Sequence, residues 1–333
     1  MKKISEKQKR KPLKKNIPKV AHIRETNVEY IPSVKENKIG SGILFTGDCT
    51  NILNHQPHQL YDLSFLDPPF NQNKEYSEHE DNMPEEEFWN WMSMVSNAIF
   101  KYSSQGSAIY FMQREKNTEH VLRCLRETGW TFQNLIIWKK KTSAVPGMAR
   151  FGKHYQIIAF ATKGEKPRIF NRLRIDPPLP IGYKYGRENG MFTTDVWDDI
   201  RELTSGYFAG DEPLRDKDGQ RLHKQQAPVE LLLRIILSST NPGDVVFDPF
   251  AGTGTTFIVG NQLKRRSVII ELDPKNVNAI QKRYAQHRST DDVHQYYSLY
   301  KYTPRIQEIW GSDEGAFVDS LNQPGQQLRL IKL

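Results

Sequence analysis

Cysteine is nearly absent. Cys49 and Cys124 are the only two in 333 residues, too few for a disulfide framework, and no Cys/His spacing suits zinc. No apolar run reaches membrane-spanning length, and the basic N-terminus lacks the apolar stretch of a secretory signal, so a cytoplasmic chain without membrane or metal is expected. A basic domain is missing too. Residues 1–20 hold nine Lys or Arg against Glu6, which is the whole formal net charge of +8, and the rest balances at 38 basic and 38 acidic residues. The positive charge therefore belongs to a tail, either a solvated arm or one that touches phosphate.

What the chain does have is a glycine-rich turn. Val245-Val246-Phe247 forms a buried strand that runs into Asp248-Pro249-Phe250-Ala251-Gly252-Thr253-Gly254-Thr255-Thr256. Gly252 and Gly254 let backbone approach a ligand with no Cβ in the way, and the helix opening at Thr255 favours an anion at its free N–H groups. The spacing is G-x-G with no following Lys, so it is not a phosphate-cradling P-loop. Alone it indicates a nucleotide-like cofactor.

A second motif narrows this. The short apolar strand over 62–66 ends in Asp67-Pro68-Pro69-Phe70. Two prolines remove two donors and hold the chain extended. Free carbonyls, a carboxylate at a strand end and an aromatic ring suit an exocyclic amine on a base extruded from a duplex. A proline-stiffened surface turn is the bland alternative.

Together these motifs resemble the S-adenosylmethionine-dependent amino-methylating DNA methyltransferases, in the permuted order with D-P-P-Y/F before F-x-G-x-G. The resemblance spans residues 40–285. Gly47-Asp48-Cys49 matches the acidic turn before the catalytic strand. His223 to Leu231 resembles the helix start H-P-x-Q-K-P-x-x-L, with Lys224 and Ala227 departing from it, and Val268 to Pro274 matches the strand whose acid binds ribose. The resemblance implies an α/β methyltransferase fold: a seven-stranded, mostly parallel sheet, one antiparallel strand near its edge, helices on both faces and an inserted recognition segment. Asp67 and the Pro68 carbonyl would accept the amine N–H groups, within a catalytic turn of Asp67, Pro68, Pro69 and Phe70, and Phe70 would stack on the base. The cofactor site would comprise Asp48 at the adenine end, Asp248 with the Phe250, Ala251, Gly252, Thr253 and Gly254 backbone around the methionine part, and Glu271 at the ribose, with Cys49, Pro249, Thr255 and Asp273 as further contacts. The reaction expected is methyl transfer to adenine N6 in double-stranded DNA. Cytosine N4 is the alternative within the class, although that group usually carries Ser at the position of Asp67. An RNA or protein amino-methyltransferase and an idle DNA-binding module lie outside it. A cognate restriction endonuclease and a homodimer are the further partners considered.

Along the chain, residues 1–38 suggest a disordered basic arm, 39–163 a catalytic half, 164–222 the recognition segment, 223–288 the cofactor half and 289–333 an extension without assigned role. The polar stretch 71–84 suggests a mobile loop beside the catalytic turn. Phe88, Trp91, Met92 and Val95 recur at helical spacing, as core does. Lys139, Lys140 and Lys141 close a strand and Arg150 sits in the next loop, as DNA contacts or as a solvated strand end. Arg168, Arg172, Arg174, Lys184 and Arg187 interleave with aromatics in a stretch rich in Pro and Gly. Such residues suit base reading and stacking, or else an irregular connector.

Each phosphate neutralised adds about 0.9 to the slope of log affinity against log salt. Deleting residues 1–20 is therefore expected to weaken DNA binding at low salt and flatten its salt dependence, measured by anisotropy titrations. An unchanged slope would make the tail a solvated arm.

Overall fold

Eleven strands and eight α-helices alternate through much of the computed structural model, which describes residues 35–55, 60–71, 82–142, 145–176, 188–203, 210–223 and 225–311. The strands are β1 (Lys35–Ile39), β2 (Gly42–Thr46), β3 (Tyr61–Leu66), β4 (Ser103–Arg114), β5 (Thr131–Lys139), β6 (Tyr155–Thr162), β7 (Arg174–Ile175), β8 (Met191–Phe192), β9 (Val196–Trp197), β10 (Val245–Asp248) and β11 (Arg266–Glu271). The helices are α1 (Cys49–His55), α2 (Glu85–Lys101), α3 (Thr118–Glu127), α4 (Val229–Ser239), α5 (Thr255–Gln262), α6 (Pro274–Gln286), α7 (Tyr297–Tyr300) and α8 (Ile306–Trp310).

Nine strands make one sheet in the order β1-β2-β11-β10-β3-β4-β6-β5-β9. From β2 to β4 all neighbours are parallel, and β6 runs antiparallel to both β4 and β5. The expected seven-stranded sheet is thus present, lengthened by β1 at one edge and by the two-residue β9 at the other. Alternate side chains of a strand leave on opposite faces. Accordingly Ala108, Tyr110 and Met112 of β4 pack with α4, whereas Ile109 and Phe111 pack with α2 and α3. A third cluster seats α5 and α6 on Leu44 and Ile269.

Three boundaries differ from expectation. The arm read to residue 38 gives way at Lys35, where β1 forms a hairpin with β2 across Gly40; its earlier residues lie outside those described. The segment 164–222 contributes Leu173, Trp197 and Ile200 to the main core, and β9 extends the main sheet, so this stretch is partly structural. The unassigned stretch after residue 288 does the same through Val293, Tyr300, Ile306, Ile309 and Trp310. Its elements are too short to show a period in sequence. Of the proposed loop 71–84, residues 72–81 lie outside those described, and Asn71 Nδ2 donates to the Met83 carbonyl across its base at 2.7 Å.

Buried Arg283 of α6 ties the late chain to the glycine turn. It forms paired bonds of 2.9 and 2.6 Å with buried Asp291 and donates at 3.0 Å to the Thr253 carbonyl and to Thr255 Oγ1. Removing one partner of a buried pair strands the other charge, a loss of about 3–5 kcal/mol. Arg283→Ala is expected to destabilise by that amount in urea melts. A loss under about 1 kcal/mol, within the range of exposed pairs, would show that solvent reaches Asp291.

Candidate active site

Four neighbouring parallel strands, β2, β11, β10 and β3, end on the same side of the sheet, and each delivers a carboxylate there: Asp48, Glu271, Asp248 and Asp67. They face one cleft that opens to solvent. Asp273 is a fifth acid in its wall, and among the described residues no Lys or Arg lines it. Such a cleft disfavours phosphate and favours a ligand with positive charge.

The turn after β10 is built by its own side chains. Asp248 accepts from Thr256 Oγ1 at 2.6 Å and from the Phe250 amide at 2.9 Å, which folds the chain back over the strand end. The Ala251 amide donates to the Ile270 carbonyl at 3.0 Å and docks the turn on β11. The two glycines do different work. Gly252 has φ +53° and faces His223, whose Cε1 and Nε2 lie 3.7 Å from where a Cβ would stand, and it lines the cleft. Gly254, φ +77°, is not in the cleft wall. A Cβ there would stand 2.7 Å from Ile280 Cγ1, so close packing of α6 also requires a glycine at this position.

Glu271 Oε1 accepts from the Asp273 amide at 2.8 Å and from Asn276 Nδ2 at 3.2 Å, so the acid is held from the start of α6. Asp273 itself caps that helix through the Lys275 amide. Burial pushes the Glu271 carboxyl up to about 7 and the Asp248 carboxyl up to about 6, against the bonds each accepts. Asp48 Oδ1 accepts from the Asn51 amide at 3.0 Å at the head of α1. Next to it Cys49 lines the cleft as a buried thiol, which burial and Asp48 both hold protonated.

Asp67, Pro68 and Pro69 line the same cleft as Pro249, Phe250, Ala251, Thr253 and Thr255 of the glycine turn, since β3 and β10 are neighbours in the sheet. Phe70 departs from expectation. It is only 2% exposed and is absent from the cleft wall, so its ring offers no open stacking face in this structure. Trp91, expected only as core, instead lines the cleft beside Phe250, ring centroids 5.6 Å apart at 85°, and its Nε1 donates to Thr50 Oγ1 at 3.0 Å. Its helical spacing with Phe88 concealed this, since one helix face both packs and borders the cleft. His223, Gln225, Gln226 and Asn276 line it as well. The first three lie in the motif ahead of α4, and Asn276 had no signal beyond its closeness to Glu271.

The basic candidates separate. Lys139 is exposed at the end of β5, and Lys141 Nζ donates to the Asp198 carbonyl at 2.6 Å. Lys140 is partly buried. Burial lowers its pKa while Glu202, Asp67 and Glu115 oppose that, which puts it in electrostatic range of the catalytic turn. Arg150 is exposed in the following loop. Arg168 is a correction. It lies 3.2 Å from Asp62 and 2.7 Å from Asp244, carboxylates at the amino ends of β3 and β10, the opposite end of the sheet from Asp67. Arg172 and Arg174 both stack on Phe192, at 4.3 and 4.1 Å from its centroid. Lys184 and Arg187 lie outside the described residues.

Comparison with known proteins gives the same picture. A protein family described as DNA methylase, of the N6/N4 type, matches residues 61–282. The Type II methyltransferase M.BamHI of Bacillus amyloliquefaciens is 30% identical over 245 residues, which is 69% of this chain but only 54% of that protein. The DNA adenine methyltransferase YhdJ of Escherichia coli is 29% identical over 269 residues, 74% of this chain and 84% of that one. In fold, the chain is similar to the PvuII DNA methyltransferase (cytosine-N4-specific), with a TM-score of 0.54 at 16% identity over 84% of this chain and 98% of that one.

The raised carboxyls carry a stability signature. Glu271 and Asp248 hold protons more tightly folded than unfolded, where carboxyls titrate near 4. Their contribution is complete below that pH and is lost as pH rises through about 6 and about 7. Ligand-free stability is expected to fall by on the order of a few kcal/mol between pH 4 and 7.5 from this pair, and the double variant Asp248→Asn, Glu271→Gln should flatten that slope. Equal slopes in the two proteins would show that solvent reaches both acids.

Proposed function

Because this chain belongs to the N6/N4 DNA methylase family, we propose that it methylates the N6 amino group of adenine in double-stranded DNA, with S-adenosylmethionine as donor. The observation that carries this is that Asp67-Pro68-Pro69 and the turn of Gly252 line one acid-rich cleft. A cofactor with a sulfonium and an ammonium suits that cleft, whereas a pyrophosphate would meet five acids. The N–H groups at the head of α5 would take its carboxylate. Glu271, held by Asn276, would accept its ribose hydroxyls, and Asp48 with Cys49 would border its adenine.

When bound, S-adenosylmethionine supplies an electrophilic methyl group. The protein's part concerns the amine. The lone pair of an exocyclic amine is delocalised into the ring, so the nucleophile is poor. Asp67 and the Pro68 carbonyl would accept its two N–H bonds, turn the nitrogen toward tetrahedral geometry and balance the positive charge that develops there. Asp67 need not be a strong base, because the product ammonium is very acidic.

The adenine reading is favoured by Asp67 where the cytosine-N4 group usually has Ser, and by the name of the YhdJ relative. A restriction–modification setting with a cognate endonuclease follows from the Type II name of the other relative and belongs to this proposal, as do a homodimer and a cytoplasmic location. No helix among the described residues is long and apolar enough to cross a membrane.

The test is to incubate the protein with genomic DNA and labelled S-adenosylmethionine and digest the product to nucleosides. N6-methyladenine is expected. N4-methylcytosine would overturn the base assignment, and no labelled nucleoside would overturn the reaction. Two variants test the roles. Asp67→Ala is expected to abolish transfer while cofactor affinity holds within about threefold, less than 1.4 kcal/mol and so less than one decade. Glu271→Ala should instead raise the cofactor KM by about 10- to 100-fold, since a hydrogen bond to a charged group is worth about 1.5–3 kcal/mol. Substantial activity in the first, or unchanged calorimetric affinity in the second, would reassign the residue.

A further inference from the structure

The loop between β5 and β6 shows water an apolar tip. Val145, Met148 and Phe151 are each at least 90% exposed, the three most exposed large apolar side chains among the described residues. Solvent-facing apolar clusters of this kind mark a surface that something covers.

The loop's place and mounting say what. β6 runs antiparallel to both β4 and β5, and β4 is parallel to β3, so this loop leaves the sheet at the same end as Asp67. Its stem is fixed. Glu202, fully buried, accepts from the Lys141 amide at 2.8 Å, the Thr142 amide at 3.0 Å and Thr142 Oγ1 at 2.7 Å. The Lys140 amide donates to the His154 carbonyl at 2.8 Å, and Lys153 pairs with Glu115 at 3.3 Å. A bridge between Gly147 and Arg150 turns the apex, with Met148 and Ala149 at its point. The loop is thus anchored at its base, narrow at its tip and apolar where it projects. Exposed Lys139 and Arg150 flank it with positive charge. An apolar point flanked by cations, at the end of the sheet where Asp67 stands, is complementary to a duplex: phosphates meet the cations, and the point meets stacked bases.

We propose that this loop is a wedge, led by Met148 and backed by Phe151, that enters the base stack next to the target and holds the place that the extruded base leaves. The inference rests on the methyl-transfer reading above and adds to it the residues that stabilise the extruded state. It also explains how a chain whose Phe70 is buried would favour extrusion, because the energy would come from filling the duplex as well as from holding the base. Met is suited to the position, since an unbranched thioether adapts to an irregular gap.

The test separates extrusion from chemistry. Activity is measured on a duplex carrying the site that the wild-type protein methylates, and on the same duplex with an abasic position opposite the target base, where unpairing is already done. The wild-type protein should favour the abasic duplex only modestly. Met148→Ala and Phe151→Ala should lose about 10- to 100-fold in kcat/KM on the paired duplex and recover most of it on the abasic one, with Met148→Leu near wild type on both. Fluorescence of 2-aminopurine at the target should rise on binding of the wild-type protein and rise far less with Met148→Ala. Equal losses on both duplexes, or none on either, would overturn the wedge while leaving the methyl-transfer reading intact. So would a loss of self-association in the sedimentation profile without a change in the paired-to-abasic ratio, since the loop would then be a contact between copies. Absence of methylation on either duplex by the wild-type protein would overturn the underlying reading, and the wedge with it.

Discussion

The site depends on one constraint: β10 and β11, late in sequence, must enter the sheet between β2 and β3, which come early. Only then do the acids that end these strands face a common cleft. Parallel neighbours need crossovers, and ligands in such sheets collect beyond the carboxyl ends of the strands. The helices therefore serve as spacers as well as cover. The Gly47 amide donates to the Glu271 carbonyl at 3.0 Å and the Ala251 amide to the Ile270 carbonyl at 3.0 Å, so adjacent loops are stitched together beyond the last ladder bonds.

Charges outside the cleft hold the frame. Arg283 reaches from α6 to Asp291 and to the glycine turn. Arg234 of α4 pairs both its terminal nitrogens with Asp199 and donates to the Tyr300 hydroxyl at 3.1 Å. Glu202 clamps the stem after β5. Each joins segments far apart in sequence and each is buried, so losing either arginine would leave an uncompensated carboxylate and losing Glu202 would leave two amides and a hydroxyl without their acceptor. The segments from 188 to 203 and beyond 288 earn their place in the core through these pairs as much as through apolar area.

What the sequence disclosed follows from how local the signal is. Asp67-Pro68-Pro69 and the Phe247 to Gly254 turn were legible because a strand end and the chemistry at it are written in consecutive residues. The family match over 61–282 agrees with that reading. Arg168 was not legible. Interleaving with aromatics suggested a nucleic-acid contact, but its partners are Asp62 and Asp244, which only the folded sheet brings to it. Phe70 shows the same limit, since the motif names the ring without saying that it is buried. Gly254 was legible as a glycine but its packing role was not, because Ile280 arrives from α6 to fill the space beside it. The stretch after residue 288 offered aromatics without a period, and its packing emerges only against α4.

The electrostatic layout then has a consequence for how a polyanion and a cation share one end of the sheet. Five acids line the cleft, which suits a cationic cofactor and repels phosphate. Lys139 and Arg150 are exposed toward the same end of the sheet instead, and Lys140 feels the charges of Asp67 and Glu202. A duplex would therefore be held by these cations and kept out of the cleft, where only an uncharged base could enter without meeting like charge. Burial lowers the Lys140 pKa while the charges of Glu202 and Asp67 raise it. On the methyl-transfer reading proposed above, the separation of signs would sort the two substrates: the cation would go inward, the phosphates would stay out, and the neutral base would be the part of the DNA that reaches the methyl group.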